Sequence, residues 1–148
     1  MRAVLTFAAA LALAAGAAQA QQALGEQVYR SSCAMCHQAE GQGAAGLAPP
    51  LKGKQWERLA AAGAYVPGVL LAGMHGPIVT DEGTFVGVMP TQNRLSDDEI
   101  AAVSAYLVRD INGRQGAPLA TAAEVAAWRA RPASVAELRA MRKQALAK

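Results

Sequence analysis

The 148-residue sequence is poor in the residues that build metal clusters, disulfide frameworks and nucleic-acid surfaces. Its only cysteines are Cys33 and Cys36, too few for a zinc site made of four cysteines or for a multi-bridge scaffold. Zinc would want two more thiolate or imidazole ligands beside the pair, and beyond His37 the chain has only His75. Aromatic residues make up 5%, and no basic cluster is interleaved with them, which argues against nucleic-acid binding. There is no strand–helix repeat of the kind that carries a thioredoxin-type dithiol, and there are no internal repeats. The one long apolar run, Ala3 to Ala18, is slightly short for a membrane span. Arg2 precedes it and Ala18-Gln19-Ala20 ends it with a small-x-small cleavage site, so residues 1–20 read as a secretory signal. No cysteine lies near that site, which argues against a lipid anchor. The mature chain is expected to begin near Gln21, with no stable membrane insertion after cleavage.

Charge is unevenly placed. Residues 21–117 carry 7 basic and 9 acidic groups, whereas residues 118–148 carry 6 basic and 2 acidic. The pI of 9.1 therefore reports mainly a basic tail. The division expected is a signal over 1–20, a domain over 21–117 and a basic helical extension over 118–148.

The stretch with the most chemistry is Cys33-Ala34-Met35-Cys36-His37. Two cysteines two residues apart, followed at once by histidine, read as a covalent haem attachment site. On one helical turn each thiol can add to a vinyl group of one haem, and the adjoining imidazole reaches the iron. A redox dithiol is the rival reading.

Around this motif the pattern is mainly helical. Ala23 to about Cys36 reads as a helix with Gly25, Tyr29 and Cys33 along one face. A loop rich in glycine and proline follows, from Gln38 to Pro49-Pro50-Leu51. Short helices are expected over Gln55 to Ala62 and over Val66 to Met74, with Pro67 in the first turn of the second and Gly73 and Gly76 at its end. Ile78-Val79-Thr80 and Thr84-Phe85-Val86 flank Asp81-Glu82-Gly83, which predicts a small hairpin around a three-residue turn. Ser96 with Glu99 forms a capping box. It opens a helix with Ile100, Val103, Leu107 and Ile111 on one face, ended by Asn112-Gly113. Thr121 with Glu124 and Ser134 with Glu137 mark two further helix starts, separated by Pro132.

An iron held by His37 has a second axial position. The candidates are Met74, His75 and Met89. Met74 falls on the apolar side of a predicted helix, where a methionine is a core filler, and His75 reads as an exposed helix-end residue. Met89 sits in an irregular segment whose backbone Pro90 restricts, and it is favoured.

These residues together resemble the monohaem class I (cytochrome c-like) c-type cytochromes of the bacterial periplasm, over roughly residues 23–113. In that family an N-terminal helix crosses a C-terminal helix through a glycine and an aromatic meeting an aliphatic and an aromatic residue. Gly25, Tyr29, Val103 and Tyr106 match those positions. Pro49-Pro50-Leu51 matches the Pro-x-Leu after the attachment loop, and Met89-Pro90 matches the distal Met-Pro. The resemblance implies a mainly α class I cytochrome c fold around one covalent haem c, with His37 and Met89 as axial iron ligands. It also implies that the Pro49 carbonyl accepts a hydrogen bond from His37 Nδ1–H, which would orient the ring.

The expected function is one-electron transfer in the periplasm between a dehydrogenase or reductase and a respiratory-chain partner such as an oxidase, not an enzymatic reaction. The segment from Gly76-Pro77 to Met89-Pro90 is similar to cytochromes that serve as dehydrogenase subunits, so a dedicated subunit is the first alternative. A gas-binding haem protein is the second. Leu47, Leu51, Trp56, Leu59, Leu70, Phe85 and Val88 are expected to line the pocket, with Trp56 a candidate donor to a haem propionate. The tail is expected to pack on the domain through Val125, Trp128, Leu138 and Met141. Its alternative role is to dock an acidic partner through Arg129, Arg131, Arg139, Arg142 and Lys143.

Overall fold

The computed structural model describes the backbone of residues 2–147, with side chains described for Gly16 and for residues 18–147. The apolar part of the expected signal therefore lies outside the described side chains. Seven α-helices and one two-stranded antiparallel sheet appear among the described residues: α1 (Arg2–Ser32), α2 (Ala34–His37), α3 (Gln55–Leu59), α4 (Tyr65–Ala72), β1 (Met74–Thr80), β2 (Gly83–Met89), α5 (Asp97–Tyr106), α6 (Ala122–Ala130) and α7 (Val135–Leu146). Among the described residues no helix is long and apolar enough to cross a membrane.

The frame is α1 packed on α5. Gly25 makes this possible. A Cβ there would collide with the Ala102 carbonyl oxygen and lie 2.8 Å from Tyr106 Cβ. The glycine, whose flexibility costs a helix roughly 1 kcal/mol against alanine, lets the two backbones touch. One turn on, the Tyr29 and Tyr106 rings lie 5.6 Å apart between centroids at 46°, a tilted aromatic pair. The residue directly over Gly25 is thus Ala102, while Val103 is buried in the same core cluster as Tyr29 and lines the main pocket. Ser96 caps α5 through the complete capping box with Glu99. After Tyr106 the helix widens into a π turn over Leu107–Ile111.

Three expectations are corrected. The helix expected over 66–74 ends at Ala72, because Gly73 takes φ 75° and turns the chain. Met74 and His75 therefore begin a strand, and Gly76 lies inside that strand, not at a helix end. The hairpin is longer than expected: its pairing runs from Thr80↔Gly83 down to Met74↔Met89, around the two residues Asp81 and Glu82. Met89 is accordingly the last residue of β2 and not part of an irregular segment.

The extension forms both capped helices, α6 behind Thr121 and α7 behind Ser134. Val125 of α6 and Leu138 of α7 are fully buried. Leu138 fits because α4 has a glycine at its docking point, where a Cβ on Gly68 would lie 2.6 Å from Leu138 Cδ2. Trp128 and Met141 are half-buried against the two core clusters. Arg129 donates to Asp97 Oδ1 at 2.8 Å and to the carbonyls of Asn93 and Leu95, clasping the segment that leads into α5.

Candidate cofactor site

α1 delivers the cysteine pair. It ends at Ser32, Cys33 forms a bend, and α2 carries Cys36 and His37 through one further turn. Cys33 N donates to Tyr29 O and His37 N to Cys33 O, both at 2.9 Å, so the turn stays almost helical across the bend. Both cysteines are free, Cys33 buried and Cys36 partly so. Burial pushes the Cys33 thiol up to about 11. A reactive dithiol needs the opposite shift, so the redox-dithiol reading finds no support here. Among the described residues no three His, Cys, Asp or Glu side chains gather into a metal-binding group.

After His37 the chain reverses. Gln38 has φ 63°, the only positive value at a non-glycine residue among those described, and its carbonyl accepts the Tyr29 hydroxyl at 2.8 Å. The loop then folds back on itself. Gly43 N donates to His37 O at 3.0 Å, and Leu51 N to Gly41 O at 2.8 Å. Gly43, at φ 73°, is pressed on the returning strand of the loop: a Cβ would lie 2.7 Å from Ala48 O and from Pro50 N. This packing aims the Pro49 carbonyl at the imidazole, with His37 Nδ1 2.9 Å from Pro49 O. His37 is 6% exposed, and its burial holds it below the usual histidine range, opposed by the Pro49 contact. The ring is therefore neutral at pH 7. With Nδ1 engaged as donor, Nε2 is the lone-pair nitrogen free to bind a metal.

One large cleft collects the candidate residues. Cys33, Cys36, His37, Pro49, Met74 and Met89 all line it, and it opens to solvent on one side. The remaining wall is mostly apolar, with Leu51, Leu70, Phe85 and Trp56 in their expected places and Leu47 and Val88 at an exposed rim. Leu59 is the exception among the expected lining residues. It is fully buried in the core beside Trp56 and Met74 and faces away from the cleft. His75 is exposed on the outer face of the hairpin and does not line the cleft. The residues missed from sequence include Tyr65, Val66, Val69, Gln55, Ile78, Thr80, Leu107 and Arg142. The first three could have been found from the apolar face of α4, but nothing local marks Arg142.

The sequence model of the family described as Cytochrome c matches residues 22–109. The chain belongs to the cytochrome c family. Similar proteins include cytochrome c-552 from Thermus thermophilus, 38% identical over 128 residues that cover 83% of this chain and 97% of that protein. A second cytochrome c-552, from a named strain of Thermus thermophilus, is 39% identical over 128 residues, covering 83% of this chain and 86% of the relative. Members of the cytochrome c family carry covalently bound haem c with its iron and act as electron carriers with redox partners. The site fits such a group. It offers two free thiols and a neutral imidazole on one turn, thioethers on the facing hairpin, and a wide apolar cleft between them.

Proposed function

We propose that this cytochrome c is an exported one-electron carrier in which Cys33 and Cys36 hold the haem through thioethers and His37 and Met89 are the axial ligands. The observation that carries this reading is the buried His37, oriented by Pro49 O at 2.9 Å within a cleft lined by both cysteines and Met89. The bound haem iron supplies reversible one-electron chemistry between ferrous and ferric states. The chain's own residues do the rest. Pro49 keeps the His37 ring in one tautomer, the apolar wall excludes water, and a thioether ligand favours the reduced metal. Two protein ligands leave no coordination site for substrate, which supports electron transfer over catalysis.

Export and cleavage near Ala20 agree with where α1 begins to be used. Gly16, Ala18, Gln19 and Ala20 are exposed, while Gln22 donates to Asp110 Oδ1 at 2.6 Å and Leu24 packs on the core. Removing residues 1–20 leaves those contacts in place. The mature protein then works in the periplasm, exchanging electrons between a dehydrogenase or reductase and a respiratory-chain partner. The exposed Leu47 and Val88 at the rim of the cleft suit close approach of such a partner.

The test is expression with export and haem-attachment machinery. The purified protein should begin near Gln21 and show a low-spin c-type spectrum. Cys33→Ser with Cys36→Ser should release the haem on acid–acetone extraction. A colourless wild-type protein would overturn the reading.

A further inference from the structure

We propose that Arg129, contributed by the C-terminal extension, is a positioning residue for the distal ligand: it holds the segment after Met89 closed and so governs how readily another ligand displaces Met89 from the iron. The inference rests on the proposed ligation of the haem iron by Met89. Upstream, Met89 is fixed by its pairing with Met74 at the base of the hairpin. Downstream, residues 90–96 form neither helix nor strand before α5 begins at Asp97. Backbone movement that carries Met89 out of the cleft is therefore easiest on the downstream side, and the ties on that side set its cost.

Those ties are few among the described residues. Gln92 N donates to Leu70 O of α4 at 2.6 Å, and Arg94 Nη2 reaches Ser32 Oγ at the end of α1 at 3.3 Å. Arg129 grips the segment at two carbonyls, with Nη1 on Asn93 O at 2.8 Å and Nη2 on Leu95 O at 2.7 Å, while its Nε pairs with Asp97 Oδ1 at 2.8 Å. Neither carbonyl has another donor among the described residues. The Arg129 and Asp97 side chains are 32% and 31% exposed, so solvent screens the ion pair and it contributes little alone. The grip lies in the fork: one planar guanidinium satisfies three acceptors on a stretch that has no ladder of its own. The fully buried Val125 anchors α6 on the core, which holds the fork in place. An electron carrier gains from such a lock, because a closed distal side keeps small ligands off the iron.

The test measures the rate at which cyanide replaces Met89 in the oxidised holoprotein, for wild type, Arg129→Met, Asp97→Asn and Leu138→Ala. Loss of two charge-assisted hydrogen bonds from the closed state should speed cyanide binding in Arg129→Met about tenfold or more. Asp97→Asn keeps both carbonyl contacts and should stay near wild type. Leu138→Ala destabilises the extension at a site away from the segment, and its rate should also stay near wild type. An unchanged rate in Arg129→Met, or an equal acceleration in Asp97→Asn or Leu138→Ala, would mean that Arg129 contributes only to general stability and would overturn the proposal. Where Arg129→Met does not mature, Arg129→Lys decides: it keeps the charge but cannot span both carbonyls, so it should still bind cyanide faster than wild type, and an unchanged rate overturns the proposal. Failure of the Met89 assignment would show separately, as a wild-type protein without the sulfur-to-iron charge-transfer band, and would overturn both readings.

Discussion

Met74 and Met89 face each other as Cα partners at the base of the hairpin, and both line the same cleft. Directly opposed residues in an antiparallel pair share one face of the sheet, so the fold presents two thioethers to one pocket. Their surroundings separate them. Met74 is 7% exposed and is packed with Trp56, Leu59, Tyr65 and Leu138. Met89 is half-buried where the two core clusters meet, with Gly73 so close that a Cβ would lie 2.8 Å from Met89 O. We expect Met89→Ala to abolish the sulfur-to-iron charge-transfer band of the oxidised protein. Met74→Ala should keep the band and cost about 2–5 kcal/mol in stability, the usual penalty for emptying a core site. Reversed spectra would move the ligand to Met74.

Gly43 is the position on which the His37–Pro49 contact depends. At φ 73°, alanine pays the left-handed backbone cost, about 1–3 kcal/mol, and its Cβ also meets Ala48 O and Pro50 N at 2.7 Å. Gly46 has nearly the same φ, 75°, and open space around it. Gly43→Ala should therefore lower the melting temperature more than Gly46→Ala and shift the hyperfine-shifted His37 ring resonances of the oxidised protein. Equal effects from both would show that the collision is absent.

The extension should be integral to stability. Leu138 is fully buried and seated on Gly68, so Leu138→Ala should cost about 2–5 kcal/mol by cavity formation. Lys143→Ala, at an exposed site on the same helix, should stay within about 0.5 kcal/mol. Chemical denaturation of the two variants checks this, and a silent Leu138→Ala would mean that α7 does not dock as described.

The two tail caps should respond to acid. Glu124 and Glu137 are held below the usual carboxylate range, chiefly by the backbone N–H of Thr121 and of Ser134, and next by those residues' hydroxyls. A depressed folded value means that the cap contribution is complete above the unfolded carboxylate pKa and is lost as pH falls through the lowered value. Amide protection in α6 and α7 should therefore fall in acid, below the ordinary glutamate titration. Glu124→Gln and Glu137→Gln should lose that step, each in its own helix, while keeping it in the other.

The features legible in the sequence are those made by residues a few positions apart. The Cys33–His37 spacing, the three Ser/Thr–Glu capping boxes and the Gly25–Tyr29 face each depend on one or two helical turns, so order along the chain nearly dictates the contact. The errors arose where tertiary pairing overrode a local pattern. Val69, Leu70 and Met74 have helical spacing, yet Gly73 ends α4 and cross-strand pairing with Met89 draws Met74 into β1. Leu59 lies one turn after Trp56 on the short α3, and only packing decides which of the two faces the cleft and which faces the core.

By itself, then, the sequence determined the attachment turn, the capped helices and the family to which the chain belongs. Tertiary structure decided that two methionines share one face, that Gly43 aims Pro49 at His37, and that Arg142 reaches Gln55 across 87 positions of chain. The reason is range. Helical and capping interactions close within about four residues, whereas burial and hydrogen bonding between distant segments exist only after the whole chain has packed.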